Sequence, residues 1–514
     1  MTSNGFYGIL KGASVVGAGM IFSKGISLLA EVIVARELAS AEFGTAIFAY
    51  TTILTVSGIA LIGIPEGFTY FLSILDERGD TETAFRIVIS GVTILAAVLT
   101  SSASIIYILP FSFIQQFGIS SSQWQWIQLL VPLVIVYPVT QLAFGVMRGY
   151  DRSVPKVISD DILNKLIALS AVTIAIWQDG GIFIFLSFYF GQYLLSSVFA
   201  SGYTLYLLKQ KFTEIENKRY NLLREDSRRL LSYSWPLALK NATRRLLGNT
   251  DIVLVGILLA SSAVGYYRVG YVISQLGMVV LVSITYLFTP RTARRYDSND
   301  TQAMEHLYRQ ATKWSTLLSL PLVLIMVYYP AELIKLLFGA EYSPGSIVLT
   351  VLAVDVLLRS GMGTAASVLR AIDRTRVDFV VTAVTMVANI ALSYVLILEF
   401  GIIGAAIGTF LSILFMNMTQ ILLVYHFISI HPFSKLYIET ILILVTISTV
   451  LPILLDSIIG DVIVTQYNIP VTMFAFGILF VFIEISYIWL GGLLTQTEKE
   501  TIYKYFSESP LNLI

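Results

Sequence analysis

The sequence predicts an all-α polytopic membrane protein of fourteen transmembrane helices, arranged as two six-helix parallel repeats around a central cavity plus two extra C-terminal helices. Three observations predict it. Apolar segments recur at span length. Basic residues gather in alternate connections. The chain also matches itself at a fixed offset.

Hydrophobic residues make up 56% of the 514-residue chain and charged residues 13%, which is more apolar surface than a soluble chain of this size buries. The spans run over 13–35, 45–73, 87–109, 127–147, 157–177, 182–208, 233–259, 265–289, 314–337, 346–369, 377–398, 402–427, 437–456 and 470–493. Of 33 Lys and Arg, 24 fall in the N-terminal tail, every second connection or the C-terminal tail. Positive charge marks the cytoplasmic side, so both termini are expected in the cytoplasm and the chain in the plasma membrane. Trp124, Trp126 and Trp177 fall at the outer boundary, and Trp235 and Trp314 at the inner one. The apolar stretch after Lys11 is span-length with no small-residue cleavage site, so it reads as the first span and not as a removed leader.

Net charge near zero gives no nucleic-acid signal. The absence of cysteine excludes disulfides and thiolate chemistry. His306, His426 and His431 are too scattered for a metal cluster. No metal or cofactor is expected beyond a coupling ion (Na+ or H+) or the membrane potential.

At an offset of 221, residues 32–50 meet 253–271 with seven identities, among them Ser40 with Ser261, Gly44 with Gly265 and Tyr50 with Tyr271. One residue later in register, RGYDRS (148–153) meets RAIDRT (370–375). Six spans is an even number, so the two copies face the same way and are related by an axis along the membrane normal. The expected units are an N-terminal lobe 1–208, a cytoplasmic linker 209–232, a C-terminal lobe 233–430, and two further helices with a tail over 431–514. Arg148, Asp151, Arg152, Arg370, Asp373 and Arg374 form equivalent cytoplasmic elements. They read either as topology anchors satisfied locally by the aspartates or as a gate that pairs across the lobes.

Basic residues read as lying within spans are Lys24, Lys165, Lys240, Arg244, Arg245 and Arg359, and each needs water, a counter-charge or an interface. Span seven places Lys240, Asn241, Arg244, Arg245, Gly248 and Asp251 within one arc of about 140°, opposite Trp235, Leu239, Ala242 and Leu246. One face is polar and cationic, and the other suits lipid or helix packing. Lys24 is the register mate of Arg245, and Glu31 lies seven residues after Lys24 on the same face. Asp355 and Arg359, four apart, suit a local pair. Lys165 reads as snorkelling or pairing with Asp160 and Asp161. Glu484 lies outside the repeat and has no assigned role.

A cationic, wet cleft suits an anionic ligand, since Arg takes phosphate oxygens bidentately and Lys adds a point charge. Glu31, Asp251 and Asp355 suit an ion-coupling or counter-charge role.

The 6+6+2 plan, the stretch GAGMIFSKGISLLAEVIVARELASAEFG and the MRGYDR connection resemble the polysaccharide-flippase branch of the multidrug/oligosaccharidyl-lipid/polysaccharide exporter superfamily. The resemblance spans essentially the whole chain and is strongest at 17–75 and 144–156. It implies a transporter, not an enzyme, that moves a polyprenyl-diphosphate-linked oligosaccharide from the inner to the outer leaflet by alternating access. Its headgroup-binding candidates are Lys24, Lys240, Arg244, Arg245 and Arg359. Implied partners are the lipid-linked oligosaccharide, membrane lipid and other polysaccharide-assembly proteins, with a monomeric chain. The alternatives are a cation-coupled multidrug antiporter of the same superfamily, a lipid II flippase, and a membrane polysaccharide polymerase or ligase. The last would need a large outer loop with catalytic residues, whereas the outer connections are short and mostly uncharged.

Overall fold

The computed structural model describes residues 3–159, 164–177, 182–212, 223–459, 471–491, 493, 494, 496 and 498–500. These form helices, turns and no strand. In chain order the first eleven helices are α1 (Ser3–Glu37), α2 (Ser40–Ala60), α3 (Ile64–Glu77), α4 (Thr81–Ile108), α5 (Phe111–Ile114), α6 (Ser121–Leu130), α7 (Leu133–Gly149), α8 (Ser153–Val157), α9 (Asn164–Trp177), α10 (Ile182–Tyr189) and α11 (Gly191–Lys211). Then come α12 (Leu223–Leu258), α13 (Ser261–Asp297), α14 (Thr301–Tyr328), α15 (Pro330–Phe338), α16 (Ser346–Met362), α17 (Ala365–Ala371), α18 (Thr375–Phe400), α19 (Ile402–Ile428), α20 (Lys435–Ile459) and α21 (Val471–Leu490).

The described residues of the predicted spans are almost all helical, several spans being covered by two successive helices, but the count of fourteen is not reached among the described residues. Ten helical stretches are long and apolar enough to cross a membrane, and the pair α6–α7, bent by 40°, makes an eleventh. The described part of α9 is 14 residues, fewer than a span needs. Arg244, Arg245 and Asp251 interrupt the apolar part of α12, and α1 is also outside the count. The second predicted span is a broken one. Ile62 and Gly63 both take positive φ, 47° and 69°, before Pro65 opens α3. A β-branched residue in that region is a backbone outlier, so the break is imposed by packing and not by local preference.

The repeat is written into the helix ends. Between α3 and α4, Gly79 has φ 68°; between α13 and α14, Asn299 has φ 55°. Their amides donate to Asp76 O (3.1 Å) and Tyr296 O (2.9 Å). The next amides, of Asp80 and Asp300, each reach back five residues, to Leu75 O and Arg295 O at 3.0 Å. The Asp80 and Asp300 carboxylates then accept from Thr83 N and Ala303 N, both at 3.0 Å. Each connection thus closes one helix with a left-handed residue and caps the next with aspartate. Burial alone would raise the Asp80 carboxyl, but the Thr83 amide and hydroxyl with Arg86 and Arg229 hold it below its ordinary value. A depressed folded value means this contribution is present above the ordinary carboxylate range and is lost as pH falls through the folded value. Asp80→Ala is expected to cost about 1 kcal/mol, read as a lowered melting temperature of the purified protein.

The two Arg-Asp-Arg sextets are a second such pair. Asp151 and Asp373 take φ 56° and 58°. Their amides donate to Arg148 O (3.2 Å) and Arg370 O (3.3 Å), and those of Arg152 and Arg374 to Met147 O and Leu369 O, both at 2.8 Å. This double bond pattern is a Schellman stop, and it ends α7 and α17 alike. Aspartate tolerates the left-handed region better than most residues, which supplies a physical reason for its place in both sextets. Asp373→Gly is therefore expected to keep the fold, and Asp373→Val to cost about 1–2 kcal/mol. Transport by the glycine variant tests the gate reading of the sextet: a gate that pairs through Asp373 fails, and a residue needed only to stop the helix leaves transport intact.

By contact the chain divides into two compact units. One comprises Met1–Lys24, Val269–Ala388 and Ala406–Ile514; the other comprises Gly25–Arg268 and Asn389–Ala405. In the first, α14 packs on α16, α20 and α21, with Leu320, Leu324, Leu444, Met473, Phe476 and Phe480 in one core. The two extra helices therefore share their hydrophobic core with the second repeat. The C-terminal segment is tied to the same place: Lys313 Nζ donates to Glu498 (2.7 Å) and Leu493 O (3.3 Å), and Trp314 Nε1 to Glu498 (2.9 Å). In the second unit, α12 packs on α2, α3 and α4, and α7 on α2, α3 and α11.

Candidate functional site

The face of α12 that meets α2, α3 and α7 is polar at intervals of four. Asn241 Nδ2 donates to Glu66 Oε1 at 3.0 Å. Arg245 Nη1 donates to Leu54 O at 3.2 Å, and its Nη2 to the Tyr137 hydroxyl. Asn249 Nδ2 donates to Thr55 Oγ1 at 2.8 Å. Spacing of four keeps all three on one stripe, and each meets an oxygen in a region where water is scarce. Arg245 also lies over the Tyr137 ring, 5.0 Å from its centre. The guanidinium rests where a Cβ on Gly58 would overlap it, so only glycine leaves the notch open. Gly58→Leu is expected to expel the guanidinium and to match loss of Arg245 in both stability and transport.

This arrangement divides the predicted cationic arc of span seven. Asn241 and Arg245 are committed to α2, α3 and α7. Lys240 is half-buried and Arg244 exposed; neither has a hydrogen bond or ion pair among the described residues. On the opposite side Trp235 is 62% and Leu239 47% exposed, whereas Ala242 and Leu246 are half-buried. A single helical wheel cannot distinguish these faces, because it does not show which neighbour covers each side.

The acidic candidates all have partners. Glu31 Oε1 and Oε2 accept from Arg268 Nε (2.6 Å) and Nη2 (3.1 Å), a two-pronged pair whose acid is 5% exposed. Asp251 accepts from the Tyr267 hydroxyl at 2.6 Å. Asp355 lies 2.7 Å from Arg359 Nε one turn away, a contact of charge without an aligned hydrogen bond. Arg359 thus serves Asp355, as its spacing suggests. Removing one partner of a buried pair leaves the other charge stranded, so Glu31→Gln is expected to cost about 3–5 kcal/mol and the double variant Glu31→Gln/Arg268→Gln less, by thermal denaturation.

Two residues of this site are absent from the sequence reading. Arg268 stands at the start of the span 265–289, where a basic residue passes for an interfacial one. Glu66 follows Pro65 inside the span 45–73, and an acid within an apolar run was the available signal. The remaining candidates lie elsewhere. Lys24 is half-buried on α1 and belongs to the other unit, as does Arg359. Lys165 is half-buried on α9; Asp160 and Asp161 lie outside the described residues. In the sextets, Arg148 Nε donates to Phe144 O at 3.2 Å. Arg370 pairs with Asp378 (3.3 Å) and Ser367 (2.9 Å), and Arg374 stacks on Phe427 at 4.7 Å. Asp151 and Asp373 are exposed and make no ion pair among the described residues.

The family profile described as polysaccharide biosynthesis protein matches residues 9–294, more than half of the chain, and the MatE profile matches 236–395. The probable low-salt glycan biosynthesis flippase Agl15 of Haloferax volcanii is 24% identical over 399 residues, which cover 76% of this chain and 78% of that protein. Among solved structures, the lipid II flippase MurJ in an inward closed conformation matches with TM-score 0.68 at 14% identity, over 94% of this chain and 100% of that one. An inward-facing multidrug resistance transporter of the MATE family, in the MOP superfamily, matches with TM-score 0.64 at 15% identity, over 81% of this chain and 98% of that one. The fold is therefore the helical membrane fold that these transporters share.

Proposed function

The chain belongs to the polysaccharide biosynthesis protein family, and from that premise we propose that it is a transporter, a flippase that carries a polyprenyl-diphosphate-linked oligosaccharide from the inner to the outer leaflet. The name of the Haloferax relative, a glycan biosynthesis flippase, supports this substrate class. The observation that carries the reading is on α12. Lys240 and Arg244 are cations one turn apart within the predicted seventh span, uncommitted among the described residues, beside an Arg245 that is held in place. Uncompensated charge in a membrane is costly unless it meets water or a ligand, and a diphosphate is the ligand that two such cations suit.

In this reading the two sequence lobes, 1–208 and 233–430, alternate access to a headgroup held by Lys240 and Arg244. Arg245 and Arg359 position their helices, and the tail stays in lipid. Both termini lie in the cytoplasm, and the membrane is the plasma membrane. The ion pairs also bear on the antiporter alternative. A cationic drug needs an available acid, whereas Glu31 is matched by Arg268 and Asp355 by Arg359.

The test is leaflet transfer in proteoliposomes. Purified protein should expose an inner-leaflet polyprenyl-diphosphate sugar to an external enzyme, and Lys240→Gln/Arg244→Gln should slow that transfer at least tenfold. Equal rates in the wild type and the double variant would remove the assignment.

A further inference from the structure

Within the unit that contains Val269–Ala388, α13 and the segment from Gly363 to Ala371 border an open cavity of about 590 Å³. Leu281, Val282, Tyr286 and Pro290 line it from α13 together with Thr285 and Thr289, and Arg370 is the single charged residue in its lining among the described residues. We propose that this cavity is a binding site for an isoprenoid phosphate: the phosphate or diphosphate sits on Arg370, and the first isoprene units lie against Val282, Tyr286 and Pro290. The proposal rests on the flippase reading and names where the lipid part of that substrate is gripped.

Arg370 is equipped for this. Of its five N–H donors, two are engaged, one to Asp378 at a long 3.3 Å and one to Ser367 at 2.9 Å. Asp378 also accepts from Gln420 Nε2 at 3.0 Å, so its charge is not devoted to Arg370. The Arg370 side chain is 31% exposed, and its remaining N–H groups suit paired phosphate oxygens. The wall facing it is apolar and uncovered, with Val282 42% and Tyr286 67% exposed. Apolar walls with one cation at the end select an amphipath with an anionic head over a free sugar or a free anion. The α13 wall also leads directly into the basic run Arg291, Arg294 and Arg295. That run marks the cytoplasmic side, from which a lipid-linked sugar is collected.

The experiment is photolabelling of the full-length protein in nanodiscs with a diazirine-bearing farnesyl diphosphate, followed by peptide mapping. Label is expected on peptides spanning 281–293 and 363–371. Unlabelled polyprenyl phosphate should displace it at concentrations where inorganic diphosphate and dioleoyl phosphatidate do not. Arg370→Gln should weaken apparent binding about tenfold, and Tyr286→Ser, a neutral change at an exposed position, should weaken it as well with helicity intact. Label elsewhere, displacement by inorganic diphosphate or phosphatidate as readily as by the isoprenoid, or indifference to both variants overturns the proposal. Leaflet transfer measured in parallel separates the two readings. Label in the cavity without transfer leaves the site standing and the flippase reading lost; transfer with label elsewhere does the reverse.

Discussion

Arg245→Ala is expected to lower stability by about 1.5–3 kcal/mol and to stop transport, whereas Arg244→Gln stops transport with an unchanged melting temperature. The two arginines are neighbours in sequence and opposite in circumstance. Arg245 donates to the Leu54 carbonyl and the Tyr137 hydroxyl, and lies over the Tyr137 ring in the Gly58 notch. Truncation removes charge-assisted hydrogen bonds and leaves two acceptors with little water to replace them. Lysine retains the charge but not the fork that reaches both partners, so Arg245→Lys should recover only part of the loss. Arg244 is exposed, so its removal costs the fold nothing. Melting temperatures and proteoliposome transfer rates, measured on the same preparations, decide the matter. Equal destabilisation by both variants would mean that Arg244 is also structural, and the headgroup assignment would fall to Lys240.

Much of the architecture is legible in the residues themselves, where the chain must satisfy the same local geometry twice. Arg-Asp-Arg stands out because both copies place aspartate at a left-handed helix stop. The Gly79-Asp80-Thr81 and Asn299-Asp300-Thr301 connections carry an equally strong mark. They escape an offset of 221 because they lie 220 apart, and because glycine and asparagine are different letters for one backbone conformation. The site was less legible. Helical spacing placed Arg245 beside Arg244, since an arc records direction and not what fills it. The committed residues are those at 241, 245 and 249, and their partners Glu66, Leu54, Tyr137 and Thr55 come from three other helices. No property of α12 alone announces them. Arg268 shows the same limit: its acid is 237 residues away.

Gly44→Leu and Gly265→Leu are each expected to destabilise the protein by about 1–3 kcal/mol, by similar amounts, and to cost less together than the sum of the two. These glycines are register mates at offset 221, and they meet. A Cβ on Gly44 would overlap the Ser261 carbonyl oxygen and come within 2.8 Å of the Gly265 amide nitrogen; a Cβ on Gly265 would come within 2.7 Å of the Ser40 carbonyl oxygen. Ser40 and Ser261 are mates at the same offset. The contact is therefore reciprocal, each glycine against the other copy's serine, which is the signature of a two-fold axis passing between α2 and α13. Backbone atoms cannot swing aside as a side chain can, so any added side chain must part the helices. Once one variant has parted them, the second meets no further resistance, and the interaction term has the sign of relief. Thermal unfolding of the two single variants and the double variant measures it. A harmless Gly265→Leu beside a damaging Gly44→Leu, or strict additivity, would show that the two sites are not halves of one symmetric crossing. The parallel repeat would then have to rest on the helix ends alone.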